Sequence, residues 1–269
     1  MLVYRDMDIG TAKPSLAMRR RVPHHLLDLV EPEEDFPVAL FQQHGLAALA
    51  EIDAVDATTV ICGGSGLHFR SLVDPLDFPP SDDSVRAELE ALDAEEARRR
   101  LEALDATAVA HVDMANPRRV VRALEVAVLT GLTPSRRAAS DNAGAIRDYR
   151  PRREFVGIGL DPGDSLEQRV KERFDAMLRA GLLDEVAGLR DRLGRLARQA
   201  VGYKELLPVV AGVATIEEGR DAAVGASMAL AKRQRTFFRR DPRIEWITWD
   251  PDLSTRIRRV EEHIEKVLA

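Results

Sequence analysis

Apolar residues along this chain follow two different rhythms. From Val38 to Val55 they recur every three or four positions, and the spacing predicts an amphipathic helix. Pro23 to Val30, ended by Pro32, predicts a short buried strand, and Thr58 to Cys62, a short β-branched run ended by Gly63, predicts another strand. The second run meets Gly63-Gly64-Ser65-Gly66, after which a helical pattern resumes at Leu67. Strand, glycine turn and helix in that order point to an α/β fold. After Asp74 the rhythm changes. Pro75, Pro79 and Pro80 punctuate a linker, and residues 81 to 130 are Ala, Leu, Glu and Arg at helical spacing with no strand signal. Glu154 to Asp161 predicts another buried strand. Ser165 with Gln168, and Thr215 with Glu218, have the spacing of capping boxes. The first is expected to open a helix that Gly181 ends, the second a helix running to about Arg240. Ile244 to Trp249 predicts the last strand and Leu253 to Leu268 the last helix. The pattern describes a parallel α/β core in two parts, residues 1–80 and 151–269, interrupted by a helical insertion at 81–150.

Composition narrows the class of protein without naming it. The 269 residues are 45% apolar and 31% charged, which excludes wholesale disorder. No apolar run approaches the roughly 18 residues of a membrane span, and no signal peptide opens the chain, so a cytoplasmic protein without a membrane partner is expected. Lys and Arg total 39 against 45 Asp and Glu, a net charge of −6, which argues against a bulk nucleic-acid coat but leaves room for a local basic groove. Cys62, the single cysteine, excludes a disulfide framework and is expected in the core at a strand end.

Candidate chemistry concentrates in a few places. The Gly63–Gly66 turn reads either as a backbone cradle for a phosphate or as a tight strand-to-helix turn; no Walker A pattern occurs in the 269 residues. Lys232, Arg233, Arg235, Arg239 and Arg240 fall within nine positions, interleaved with Phe237 and Phe238, as on a helix holding an anionic backbone or merely a solvated face. Arg118, Arg119 and Arg122 form a second basic cluster. Arg136, Arg137, Arg147, Arg150, Arg152 and Arg153 add a third, and three such clusters in an acidic chain suggest a nucleic-acid groove. His24 and His25 are adjacent, so on a strand they face opposite sides, and a core or hydrogen-bonded role is expected. Asp6, Asp8 and Asp28 are the early carboxylates suited to a base or to Mg²⁺, and spacing selects none of them. Arg86 alone reads as a solvated helical position.

Seven segments together carry a resemblance. Val3–Pro14, Val22–Asp28, Gly63–Leu67, Arg118–Val126, Gly181–Val186, Ala200–Lys204 and Lys232–Arg239 occur in the order found in the tRNA dimethylallyltransferases, also called tRNA isopentenyltransferases. The resemblance implies a P-loop-NTPase-like parallel sheet core with an all-helical insertion that grips the anticodon stem-loop. It also implies transfer of a dimethylallyl group from dimethylallyl diphosphate to N6 of adenosine 37 in tRNAs reading codons that begin with U, with Mg²⁺ and nucleotide binding, in a monomeric protein. The target base must leave its stack to react. Position by position, Met1, Leu2, Ser65, Arg86, Arg118, Arg119, Val120, Val121 and Arg122 match places that contact tRNA. Thr11, Lys13 and Arg198 are matched to the diphosphate, and Lys232, Arg233, Arg235 and Arg239 form the basic helix.

This sequence also departs from the family pattern. The family's P-loop and general-base Asp lie upstream of the motif that here begins at Met1, so no residue of the chain is matched to a catalytic base and no metal ligand is assigned. Leu2 stands where Gln is commoner, and Gln199 stands where the family often has arginine, with Arg198 one place earlier. Without the family's first strand the sheet would expose unpaired edges, so the 269 residues alone are expected to be poorly stable or aggregation-prone. The departures leave a non-catalytic tRNA-binding remnant as an alternative to the enzyme. A third reading, an adenylate isopentenyltransferase acting on free nucleotide, does not account for the Arg-rich insertion.

Overall fold

The structure is a computed structural model that describes residues 1–268. It divides into two compact units, residues 1–72 with 155–269, and residues 73–154. In chain order the elements are α1 (Leu16–Arg21), α2 (Val38–Asp53), α3 (Gly66–Val73), α4 (Asp83–Glu90), α5 (Ala94–Leu104), α6 (Pro117–Thr130), α7 (Pro134–Ala138), α8 (Asp141–Arg147), β1 (Gly157–Asp161), α9 (Leu166–Arg179), α10 (Leu182–Leu189), α11 (Tyr203–Val210), α12 (Ile216–Phe238), β2 (Ile244–Thr248) and α13 (Leu253–Leu268). No helix among the described residues is long and apolar enough to cross a membrane.

In the first unit β1 and β2 pair in parallel, with Gly157 opposite Ile244 and Asp161 opposite Thr248. The chain between them supplies α9 to α12, and the core forms where these helices meet the start of the chain. Val3, Tyr4 and Met7 pack with Phe174, Leu182, Val186, Tyr203, Leu206 and Ala223, all buried. α12 starts as its sequence requires. The Thr215 hydroxyl accepts from the Glu218 N–H, and the Glu218 carboxylate accepts from the Thr215 N–H. Gly181, at φ +100°, separates α9 from α10 in a left-handed conformation that favours glycine.

Several sequence expectations are corrected. Pro23–Val30 is not a strand: Leu26 and Asp28 sit at φ +62° and +53°, outside the extended region, leaving only an isolated parallel bridge from Tyr4 to Val30. Thr58–Cys62 finds no strand partner among the described residues and runs as exposed coil, with Val60 83% exposed. Cys62 is therefore exposed rather than core. His24 and His25 are both exposed, His24 bonding through Nδ1 to the Val22 carbonyl. The Ser165 box does not form. A 3-10 turn over Gly163–Ser165 holds Ser165 in helical backbone, and its hydroxyl donates back to the Pro162 carbonyl.

The second unit is all-helical. Asp82, Asp93 and Asn116 cap α4, α5 and α6 by accepting bonds from N–H groups of the first turn. Pro117 opens α6 and Gly131, at φ +69°, closes it. Leu89, Ala97, Leu101, Ala108, Val120 and Leu124 make the core of this unit. Asp105 ties it together by accepting from the Thr107 N–H and hydroxyl and from the Ser135 N–H at 2.7 Å.

Candidate functional site

The loop from Tyr4 to Pro14 is organised around two charged groups, one buried and one partly buried. The Lys13 side chain is 1% exposed and its ammonium lies 2.6 Å from both Asp8 and Asp28. It also donates to the Tyr4 carbonyl at 2.8 Å. Arg19 takes the other Asp28 oxygen at 2.7 Å. Burial pushes the Asp28 carboxyl up, but the bonds from Lys13 and Arg19 outweigh it and hold the group below its ordinary range. Thr11 donates to the Met7 carbonyl, which closes the turn.

The second group is Glu185 of α10. Its carboxylate accepts from three consecutive N–H groups, Asp8 at 3.0 Å, Ile9 at 2.8 Å and Gly10 at 3.1 Å, and from the Tyr203 hydroxyl. Burial, followed by the Glu185 carboxylate, keeps the Tyr203 phenol far above its usual pKa, so it stays a donor. Tyr203 packs so closely that a Cβ on Gly10 would lie 2.4 Å from its ring. Three separate sequence motifs thus converge on one carboxylate. A cleft of about 430 Å³ opens beside this loop, lined by Arg5, Asp6, Lys13, Ser15, Arg19 and Asp28. A larger cleft of about 690 Å³ lies between β2 and α13 around Trp246, Trp249 and His263, and holds none of the sequence-matched residues.

Arg198 is exposed and donates to the carbonyls of Arg190 and Leu193. Met1 is exposed, while the Leu2 carbonyl accepts from the Asp28 N–H. Of the three early carboxylates none stands free: Asp6 pairs with Arg192 at 2.8 Å, and Asp8 and Asp28 share Lys13.

The glycine turn packs on the second half of α12. A Cβ on Gly64 would lie 2.5 Å from the Gln234 side chain, and one on Gly66 would lie 2.1 Å from the Phe237 ring. Close packing therefore accounts for glycine at both places. Ser65 remains exposed and shares a 2.7 Å hydrogen bond with His68 Nδ1. On the basic helix, Arg235 and Arg239 each reach Asp161 at 2.6 Å, at the end of β1. Lys232 and Arg233 are exposed, with no ion-pair partner among the described residues. The helix is therefore a face with two cations committed and two open.

In the helical unit, the residues from Arg118 to Arg122 separate by helical geometry. Arg118 and Arg119 are exposed, Val120 is 1% exposed and faces the core, and Val121 packs beside it. Arg122 and Arg86 turn toward Glu125, whose side chain has no solvent exposure. Glu125 accepts from Arg86 Nη2 at 3.1 and 3.2 Å, from Arg122 Nη1 at 2.7 Å and from the Asp82 N–H at 3.0 Å. Burial pushes this carboxyl up, and the bonds from Arg122, Asp82 and Arg86 together hold it below its ordinary value.

Sequence reasoning passed over Glu185, Tyr203, Glu125 and Asp161 as site residues. The first three stand inside quoted motifs, but nothing in the spacing distinguishes Glu185 and Glu125 among 45 acidic residues or singles out Tyr203. Glu125 had one usable signal: it directly follows core Leu124 and lies four residues after Val121, on the apolar side of its helix.

The relationships of the chain to known proteins agree with this geometry. A family model described as IPP transferase matches residues 2–241. A tRNA dimethylallyltransferase of Thermobifida fusca is 42% identical over 267 residues, covering 95% of this chain and 81% of that protein. One from a Nocardioides species is 39% identical over 259 residues, covering 93% and 81%. The crystal structure of the full-length tRNA isopentenylpyrophosphate transferase of Bacillus halodurans superposes with a TM-score of 0.68 at 34% identity, covering 98% of this chain and 84% of that one. A eukaryotic dimethylallyltransferase captured acting on tRNA superposes with a TM-score of 0.74, covering 96% and 69%, and its 23% identity bears on the fold alone. With its mixed α/β architecture and its ordered motifs, this chain belongs to the IPP transferase family, the tRNA dimethylallyltransferases.

Proposed function

We propose that this protein transfers a dimethylallyl group from dimethylallyl diphosphate to N6 of adenosine 37, beside the third anticodon base of tRNAs that read codons beginning with U. In that reaction the N6 nitrogen forms a bond to C1 of the allyl group, the C1–O bond to the diphosphate breaks, and N6 loses a proton. The observation that carries the reading is the convergence at Glu185, where the motif loop, α10 and α11 are pinned together beside a cleft lined by paired cations and carboxylates.

In this reading Arg86, Arg118, Arg119 and Arg122 hold the anticodon stem through its phosphates, and Lys232 and Arg233 are further phosphate contacts. Ser65, Met1 and Leu2 belong to the tRNA contact as well. Arg198, Thr11 and Lys13 are assigned to the diphosphate. Lys13 is fully engaged by Asp8, Asp28 and Tyr4, so its contribution is to hold the loop's shape and charge.

Mg²⁺ belongs to this reading as the counter-ion that the diphosphate carries, bound mainly through phosphate oxygens. The residues present do not fit a protein-held magnesium cage. Among the described residues no three His, Cys, Asp or Glu side chains converge, and Asp8 and Asp28 are already neutralised by Lys13. A monomer in the cytoplasm completes the proposal.

The test is to incubate the full chain with dimethylallyl diphosphate, Mg²⁺ and an unmodified anticodon stem-loop, then digest the RNA and weigh its nucleosides. One dimethylallyl group on one adenosine is expected. Stem-loop binding with no transfer would overturn the transferase reading in favour of a tRNA binder. Preference for free AMP would instead point to a nucleotide prenyltransferase.

A further inference from the structure

In the helical unit, one carboxylate with no solvent exposure serves two half-exposed guanidiniums. The Glu125 side chain is 0% exposed, whereas Arg86 and Arg122 are 34% and 38% exposed. Burying a carboxylate costs folding free energy that its partners only roughly offset, and an apolar residue of similar size is often no worse for stability. Stability alone therefore gives weak reason for a glutamate here.

Its geometry suggests another reason. Arg86 Nη2 meets both Glu125 oxygens, which anchors that end of the guanidinium and leaves its other nitrogens toward solvent and the exposed Asp83, 4.0 Å from Nη1. Arg122 is held from two sides, by Glu125 and by the carbonyls of Pro79 and Pro80 at 2.7 and 3.0 Å. Arg118 lies one turn before Arg122, on the same helical face, and has no ion-pair partner among the described residues. Arg137 of α7 is near enough to Arg122 that burial, then Arg122's charge, hold its pKa below the ordinary guanidinium value. The cluster is thus several cations around a single buried anion, with the exposed Asp83 near Arg86 and Asp77 near Arg137. Long arginine side chains ordered before binding lose less freedom when they meet a phosphate.

We propose that Glu125 is a positioning residue for RNA: it aims Arg86 and Arg122 at the phosphate backbone of the anticodon stem-loop. This rests on the reading of the helical unit as a tRNA contact, and it makes a prediction of opposite sign to simple electrostatics. Removing a negative charge beside an RNA site should tighten binding. If Glu125 positions the arginines, Glu125→Gln instead weakens binding.

The experiment measures stem-loop affinity of the full chain across a salt series, with thermal unfolding of each variant as the control. Glu125→Gln is expected to lose about tenfold in affinity. Arg86→Gln should lose a similar factor, and the double variant little more than either alone, because both changes break the same unit. Arg86→Lys leaves the buried carboxylate and the net charge in place, so it reports even if Glu125→Gln folds poorly. A lysine ammonium that meets Glu125 has no second nitrogen left to offer a phosphate, so it is expected to bind as weakly as Arg86→Gln. Unchanged or tighter binding by Glu125→Gln, or full affinity in Arg86→Lys, with Arg86→Gln still weak, would overturn the positioning role and leave the tRNA reading standing. If Arg86→Gln and the pair Arg118→Gln with Arg119→Gln all bind like the unaltered protein, the tRNA reading of this unit fails, and the proposal with it.

Discussion

Glu125 in the helical unit and Asp161 in the α/β unit are built alike: each carboxylate gathers two arginines. They differ in what surrounds them. Each also takes a backbone N–H, but Glu125 has no exposure and lies on a helix whose neighbours are core residues. Asp161 is 16% exposed at the end of a strand, and its partner Arg239 is 58% exposed. The same chemistry therefore has different consequences. Around Glu125 the ion pairs are part of the packing, whereas around Asp161 they are a partly solvated clasp on a helix held in place by other means.

The largest test of that difference is deletion of each carboxylate. Glu125→Ala leaves the Asp82 N–H and the Arg86 guanidinium without their partner beside a fully buried void, and is expected to cost about 3 kcal/mol or more. Asp161→Ala removes a carboxylate that water already reaches, so about 1 kcal/mol is expected. Urea unfolding gives the totals, and hydrogen exchange of the α6 amides locates the first loss in the helical unit. Equal costs at the two sites would break the comparison.

What holds α12 apart from Asp161 is its aromatic face, which leads to the next effect in size. Gly66 meets the Phe237 ring, and Phe237 and Phe238 stack edge-on at 5.4 Å. Gly66→Ala forces a Cβ to within 2.1 Å of that ring and is expected to destabilise by about 1–3 kcal/mol. A unit whose stability did not change would show that Phe237 moves aside freely.

These two sites also show how far the sequence could be read. The β1 and β2 segments, α2, α12 with its Thr215 cap, and the stop at Gly181 were legible because each follows from local periodicity or a local bond. Thr58–Cys62 misled because a strand exists only with a neighbour, and β-branched composition carries no record of one. Ser165 misled because its bond went to Pro162, a choice set by a 3-10 turn that the capping spacing does not encode. The basic clusters were visible as charge. Which cations are already spent, Arg235 and Arg239 on Asp161 or Arg86 on Glu125, depends on carboxylates 39 to 78 residues away.

Acid separates the units less strongly. The Asp161 carboxyl is pushed up by burial but drawn down to about 2 overall by the Gly163 N–H and by Arg235 and Arg239. Asp105 in the helical unit is likewise held at about 2, chiefly by the Ser135 N–H. A carboxyl whose folded pKa lies below its unfolded value of about 3.8 stabilises the fold fully above pH 4. That contribution is lost as pH falls from about 4 toward 2. Asp161→Asn and Asp105→Asn should each flatten part of the acid limb in a urea-midpoint series between pH 5 and 2.5, one in each unit. An unchanged limb in either variant would mean that its bonds do not persist in solution.

The smallest effect concerns binding, and it turns on what Asp161 does to the basic helix. Lys232 and Arg233 present full charges to solvent, while Arg235 and Arg239 share one carboxylate. If that helix follows an RNA backbone, losing Lys232 or Arg233 should lower the magnitude of the salt slope of stem-loop binding by about one each, with affinity falling a few-fold. Losing Arg239 should lower it by about half as much, because Asp161 already offsets part of that charge. Asp161→Asn should then act in reverse, tightening binding slightly and steepening the slope. That is the opposite sign to Glu125→Gln, although both remove one acid from a pair of arginines. The contrast follows from the exposure of the carboxylates and of Arg239. Arg239, 58% exposed, can find a phosphate by itself once released from the partly solvated Asp161, whereas Arg86 released from Glu125 loses the buried carboxylate that anchors its Nη2. Weaker binding in both variants would mean that Asp161 also positions its arginines, and the two carboxylates would then be one device used twice.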